Sequence, residues 1–361
     1  MTRYDLHIIR RLFTGTFVLL GVLIVFFIVL HYVEYIDDFM DRSAKMSEIF
    51  TVYYLNFIPE IVKLTSPLAV FLASIYLMGR LAQSLQIVAL QSSGVSLYRL
   101  TLPFAVYAVI VTGFMFWFNG WVVPKTNKTV LEFEAKYLKD APLQTELTNV
   151  FRQDRPGGIL SIGYFDRESL VAHRVSLQEF EEGQVMTRRI DAIRMGWDPE
   201  HSNWVLHNAL IRTFSPDGLV SQERVEMMDT TLNIYPSDLA RTDRDVESMS
   251  IPDATGHVAS LRRSGVANLG RTLVGYYSKF SYPFANLILV LIAVPIASVR
   301  RRGGQAVQVG LGLLVAFFYL ATLKLTEPFG YTGAIDPLVV SWLPHALFAV
   351  LALILFIKSR K

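Results

Sequence analysis

The chain contains no cysteine among its 361 residues. That excludes disulfides, thiolate metal sites and a cysteine nucleophile, and leaves the redox compartment open. It has no Gly-Lys dipeptide either, so no Walker A loop can cradle ATP phosphates here. Charge is scarce at 18%, with a formal net charge of only +3, and no nucleic-acid partner is expected. Neither H-E-x-x-H nor G-x-S-x-G occurs, and His173, His201 and His207 are scattered as ordinary strand and turn residues are. No catalytic constellation, metal site or cofactor motif is expected: the chain reads as a non-enzyme.

What it has is apolar length. The composition is 52% hydrophobic with a mean hydropathy of +0.37. The first apolar run, Leu12 to Val33, holds no formal charge over 22 residues, about 33 Å of helix. No small-residue cleavage site follows it, so it is expected to be a span and not a signal peptide. Six runs qualify as transmembrane helices: about 12–35, 54–79, 100–123, 276–299, 305–325 and 337–357. They fall into two groups of three. The expected domains are spans 1–3 over 1–124, a polar insertion over 125–270 and spans 4–6 over 271–361.

Basic residues predict the orientation. Arg3, Arg10, Arg11, Arg80, Arg99, Arg300, Arg301, Arg302, Lys358, Arg360 and Lys361 face one acid, Asp5, on one side of the bilayer. The loop between spans 1 and 2 instead carries Asp37, Asp38, Asp41 and Glu48 against Arg42 and Lys45. By the positive-inside rule both termini are cytoplasmic, and the insertion lies outside. Trp117, Trp121, Tyr276, Tyr277, Tyr282 and Tyr331 fit an aromatic belt at the outer interface.

The insertion reads as antiparallel β, a sandwich or jelly roll. "GILSIGYF", "LVAHRVSLQEF", "QVMTRRIDAIRMGW", "NWVLHNALIRTF" and "TTLNIY" are the expected strands. "RPGG", "EEGQ", "DPEHSN" and "SPDG" are the expected turns. A short helix is expected over about 253–263, with Ser250 and Asp253 at capping positions.

Ionisable residues near the spans gather in the outer halves: Glu34, Glu60, Lys63, Lys279, Lys324 and Glu327. Glu60 with Lys63, and Lys324 with Glu327, have the spacing of helical ion pairs. Lys279 is within snorkelling reach of the interface. Their common side points equally to a cavity that opens outward. The charge-poor cytoplasmic halves offer no proton relay, which disfavours an ion-driven carrier.

Between spans 2 and 3 lies "GRLAQSLQIVALQSSGVSLYR". Leu81, Leu85, Val88 and Ala89 recur at helical spacing among Gln83, Gln86, Gln91 and serines. The pattern predicts a short amphipathic helix over about 80–94, ended by Gly94 in left-handed backbone. Such a helix either lies on the membrane surface or docks in a partner's groove; its shortage of charge argues against simple adsorption to anionic lipid.

These features together resemble the lipopolysaccharide export permeases, the LptF/LptG family. "GRLAQSLQIVALQSSGVS" resembles the family's coupling segment, with its core at Ala82, Gln83, Gln91, Ser93 and Gly94. "WVVPK" resembles the exit from span 3, "WDPEHSNW" a turn of the periplasmic domain and "SKFSYP" the start of span 4. The ending "GYTGAIDPLVVSWLPHALF" is closer to LptG than to LptF. The resemblance implies an inner-membrane α-helical permease with six spans and an inserted periplasmic β jelly roll. It implies several partners: an ATP-binding cassette subunit in two copies, a second homologous permease, a periplasmic jelly-roll bridge protein and lipopolysaccharide itself. It implies that Leu81, Gln83, Leu85, Gln86, Val88, Gln91, Ser93 and Gly94 couple to the ATPase. Gln86 departs from the family's usual glutamate, which replaces a salt bridge with a neutral hydrogen bond. Lys63 and Lys279, with His31 third, are the candidates for lipid phosphates. An ion-gradient carrier and a membrane-anchored scaffold with a partner-binding outer domain are the alternatives.

Overall fold

The structure is a computed structural model and describes residues 2–138, 146–155, 157–166, 169–181, 185–199, 201, 203–215, 218–239, 243–263, 269–299 and 304–359. The chain divides into two compact units. One comprises Met1–Lys139, Glu247–Ile251 and Leu273–Lys361; the other comprises Asp140–Val246 and Pro252–Thr272.

The first unit is helical. α1 (Arg3–Asp41) opens with a capping box between Thr2 and Asp5. After α2 (Met46–Glu48) and a π-turn (Ile49–Tyr54), α3 runs over Leu55–Gln83 and α4 over Gln86–Ser92. α5 (Leu97–Trp117) passes through a second π-turn (Phe118–Val122) into α6 (Val123–Tyr137). Beyond the insertion come α9 (Gly270–Ser281), α10 (Phe284–Ala297), α11 (Gly304–Tyr331) and α12 (Pro337–Lys358).

Among the described residues five helical stretches are long and apolar enough to span a membrane, and α9 with α10, bent by 53° at Tyr282–Pro283, make a sixth when taken as one span. Each of the six expected runs falls on one of these stretches, in two groups of three. Hydroxyls on the spans bond back to carbonyls one turn earlier, as Thr65 does to Ile61 and Ser74 to Val70, which keeps these groups paired where no water is at hand. Burial separates the helices. α10 is apolar apart from Asn286, and Ile288, Leu289, Val290, Ile292, Ala293 and Val294 are all buried, which places it at the centre. In α1, by contrast, only 11% of the most apolar window is buried, against 67% in the stretch that contains α3.

The second unit holds one antiparallel sheet in the order β1–β2–β3–β4–β5–β6. The strands are β1 (Glu146–Arg155), β2 (Gly158–Asp166), β3 (Val171–Glu181), β4 (Val185–Asp198), β5 (Asn203–Ser215) and β6 (Gly218–Thr230). The antiparallel β insertion expected from the sequence is there, and its described strands follow one another as a meander, without the Greek-key crossing between two sheets that defines a jelly roll. One face is apolar, with Leu160, Ile162, Phe165, Val175, Trp204 and Leu206 in its core.

Two strand assignments are corrected. "TTLNIY" is not a strand: after Thr230 the chain leaves the sheet, and Ile234 is buried because its carbonyl accepts the Trp204 indole N–H at 2.6 Å. The sixth strand is Gly218–Thr230, whose residues are nearly all exposed, so no apolar alternation marks it. β1 was likewise unmarked. Parts of all four expected turns, including Pro156, Gly183, Ser202 and Asp217, lie outside the described residues, as do Arg300, Arg301, Arg302, Arg360 and Lys361. Along the chain after the sheet come α7 (Pro236–Leu239), a 3-10 turn (Asp243–Ser248) and α8 (Ile251–Arg263), the expected short helix with two more residues at its start.

Candidate functional site

The connection from α3 to α5 is not one helix over 80–94. Leu85 adopts left-handed backbone at φ 60 and breaks it in two. Leu81 and Gln83 therefore belong to the end of α3, where Leu81 is buried. In α4 the inward residue is Ile87, at 4% exposure. Leu85 and Val88 point to the surface at 47% and 53%. Gln86 and Ser93 are also exposed, and Gln91 is half-buried.

Gly94 does end α4 in left-handed backbone, at φ 88. The Val95 N–H donates to the Leu90 carbonyl and the Gly94 N–H to the Gln91 carbonyl, both at 3.0 Å, the paired bonds of a Schellman stop. Ser96 then caps α5 by accepting the Arg99 N–H. A left-handed leucine costs roughly 1–2 kcal/mol; here it lifts two apolar side chains out between two tightly stopped helices.

The same end of the bundle carries three polar ties that the sequence reading did not single out. Arg99 grips Asp5 with two bonds of 2.8 Å. The Gln305 amide donates to the Tyr76 carbonyl at 2.9 Å. Gln308, wholly buried, donates to the carbonyls of Ala297 at 3.1 Å and Val299 at 2.9 Å, and so serves the otherwise orphaned end of α10.

At the opposite end of the bundle, Lys63 donates to Glu60 at 2.7 Å, both side chains about one-fifth exposed. Lys279 is 6% exposed; its ammonium donates to the Glu247 carbonyl at 3.3 Å. It lies within electrostatic range of Lys63, Glu60 and Glu247. The two lysines singled out in the sequence thus share one neighbourhood. The Tyr282 hydroxyl, which donates to the Leu64 carbonyl at 3.1 Å, belongs to the same region, and one Glu60 carboxylate oxygen is buried without a hydrogen-bond partner. Lys324 and Glu327 form the second expected pair at 2.9 Å. His31 is elsewhere: its ring packs among Tyr35, Tyr53, Tyr54 and Phe57, and its two nitrogens meet the hydroxyls of Tyr54 at 3.3 Å and Tyr53 at 3.2 Å. Among the described residues no cluster of histidine and carboxylate side chains suits a metal ion.

Six apolar spans in two triplets, an antiparallel sheet inserted between them and a broken, uncharged segment between spans 2 and 3 define a polytopic membrane protein with an inserted β domain. The chain belongs to the lipopolysaccharide export system permeases LptF/LptG, whose family model matches residues 6–358. It is similar to LptG of Escherichia coli (strain K12), 22% identical over 313 residues and 85% of each chain. It is also similar to LptG of Haemophilus influenzae, 20% identical over 306 residues and 84% of each chain. The likeness is thus to LptG, as the last span suggested.

Proposed function

We propose that this chain is the LptG-like transmembrane subunit of an ABC-type lipopolysaccharide exporter, which extracts the lipid from the outer leaflet of the inner membrane and passes it to a periplasmic bridge. The observation that carries the reading is the family match over residues 6–358, which takes in both triplets of spans and the β insertion. Both termini are then cytoplasmic and the sheet periplasmic, as the basic residues demand.

The work is mechanical. Each acyl methylene withdrawn from the bilayer is worth about 0.8 kcal/mol, so a multi-acyl lipid needs tens of kcal/mol and a shielded path. This chain has no phosphate loop, so the energy comes from a separate ATP-binding subunit, present in two copies and seated on the α4 segment. Exposed Leu85 and Val88 supply apolar anchors for a groove, and Gln86, Gln91 and Ser93 supply register. A second homologous permease completes the cavity. Lys63 and Lys279 bind the lipid's phosphates, and His31 contributes only when protonated. β1 and β6, each paired on one side only among the described strands, offer open edges to a bridge protein that adds its own strand.

The test of docking is Val88→Asp, which leaves buried Ile87 in place. Loss of the ATP-binding subunit on co-purification supports the reading; retention at normal stoichiometry removes α4 as the docking element. Gln86→Glu is tolerated. Lys63→Glu lowers lipopolysaccharide-stimulated ATP hydrolysis more than basal hydrolysis if the lysine binds substrate; equal effects on both rates make it a structural ion pair. Because the chain lacks cysteine, Ser43→Cys and Ser359→Cys report topology: an impermeant thiol reagent labels the first in intact cells and not the second.

A further inference from the structure

α5, α10 and α12 leave a cavity of about 400 Å³ between them, lined among others by Tyr98, Thr101, Ala105, Leu291, Ala349 and Phe356. The volume falls in the range of small-ligand sites. Its hollow exists because Ala105, Ala349 and Ala352 stand where larger residues would fill it, while Leu102, Leu353 and Phe356 form its walls. Leu353 is 61% exposed and Tyr98 50%, so the hollow is open on its flank and not sealed in the core.

Three observations fix what fits there. The lining is almost wholly apolar; the one buried hydroxyl, of Thr101, already donates to the Leu97 carbonyl at 2.9 Å. Water has nothing to bind in such a place, and a hydrocarbon chain does. Next, the cavity lies toward one end of two of its helices: it takes in the first turns of α5 and the last turns of α12, where Tyr98 and Phe356 stack at 6.4 Å and 19°, while Ile288 and Leu291 come from the middle of α10. Finally, α5, α10 and α12 contain no acidic residue, and their cations, Arg99 and exposed Lys358, both lie at that end. The sequence adds Arg360 and Lys361 directly after it. Asp5, the acid nearby, is already held by Arg99.

We propose that this groove is a resident site for an anionic phospholipid of the cytoplasmic leaflet, with an acyl chain in the hollow and the phosphate against the basic end of α12. Basic pockets between transmembrane helices on the cytoplasmic side bind anionic headgroups in this way. The inference rests on the functional reading above for the orientation of the termini, which the Ser359→Cys experiment checks separately, and for lipopolysaccharide as the cargo. The lipid is not cargo: it occupies the leaflet opposite the one from which lipopolysaccharide is taken. It anchors the carboxyl-terminal helix to the centre of the bundle.

The experiment uses the complete transporter in nanodiscs that contain trace phosphatidylglycerol or phosphatidylethanolamine with a photoreactive acyl chain, and maps the adducts by mass spectrometry. Phosphatidylglycerol is expected to label α5 and the last turns of α12 in preference to phosphatidylethanolamine. Ala349→Trp, at a position already facing lipid, abolishes these adducts and leaves those elsewhere unchanged. Lys358→Gln lowers the preference for phosphatidylglycerol about fivefold, the factor that corresponds to about 1 kcal/mol per lysine at an anionic surface. Excess lipopolysaccharide does not displace the label. Equal labelling by the two phospholipids, indifference to Ala349→Trp, or displacement by lipopolysaccharide each overturns the proposal, the last by placing the groove on the transport path.

Discussion

Arg99 and Asp5, 94 residues apart in the chain, meet in a two-bond fork at 2.8 Å that ties the first turn of α1 to the first turn of α5. Asp5 is almost wholly buried, whereas the Arg99 side chain is 40% exposed. The two partners are therefore unequal. Arg99→Ala leaves a buried carboxylate without its cation, while Asp5→Asn leaves an arginine that water can reach. Arg99→Ala is expected to lower the melting temperature of the purified protein by more than Asp5→Asn. Arg99→Lys recovers only part of the loss, because an ammonium cannot reproduce the planar fork. Equal effects from Arg99→Ala and Asp5→Asn would mean that the pair is a solvated surface contact.

Gly312 on α11 lets that helix approach α3 so closely that an added Cβ would collide with the end of Ile75. Gly312→Ala is thus destabilising, and Ile75→Val, which removes the atom that is struck, suppresses it. A double-mutant cycle on thermal unfolding should give a coupling of roughly 0.5–3 kcal/mol. Additive effects would place the cost elsewhere. Gly79→Ala is expected to be worse. Its Cβ would meet the Gln308 amide, which is pinned by two carbonyls and can yield only by abandoning them.

In the β unit, Trp204 combines full burial with one hydrogen bond, its indole N–H to the Ile234 carbonyl. Trp204→Phe keeps most of the ring and orphans the carbonyl, at a cost of about 1–3 kcal/mol. Trp204→Ala adds a cavity, for a total of about 3–5 kcal/mol. Hydrogen exchange at β4, β5 and residues 231–235 reads both losses. Protection unchanged in Trp204→Phe would show that the bond contributes nothing.

His201 sits in the turn between β4 and β5, and its Nδ1 donates to Asp198 at 2.8 Å. That bond, and then the aspartate's charge, raise the imidazole pKa above its ordinary 6.5. A raised value favours the protonated folded form. The stabilisation is complete below about pH 6.5 and disappears as pH climbs through the folded value. NMR titration of the ring should show a pKa above 6.5 that returns toward it in Asp198→Asn. No change in that variant would assign the shift to other charges.

Patterns that repeat over many residues were legible in advance. Apolar length gave the six spans, and period-two alternation gave β2 to β5. β6 escaped because both its faces are exposed, so two glutamates and an arginine interrupt it as they do a loop. "TTLNIY" misled for the converse reason: Ile234 is apolar because it closes over Trp204, not because it pairs in the sheet. In the α3–α5 connection, Gly94 announced the stop of α4, since glycine is the residue that left-handed backbone prefers. Nothing about Leu85 announced the break before it.

By itself the sequence determined how many apolar runs are long enough to cross a membrane and which residue types are missing, because the transfer of apolar groups depends on composition and spacing alone. Tertiary structure decided which residues meet. It placed α10 at the centre, brought Lys279 to Lys63 and Arg99 to Asp5, turned Ile87 inward and Val88 outward, and opened a hollow where three alanines from two helices face α10. Helices that are apolar all round carry no stripe to say which face packs and which meets lipid. Only the fit of one helix against another settles that, and the short polar contacts follow from it.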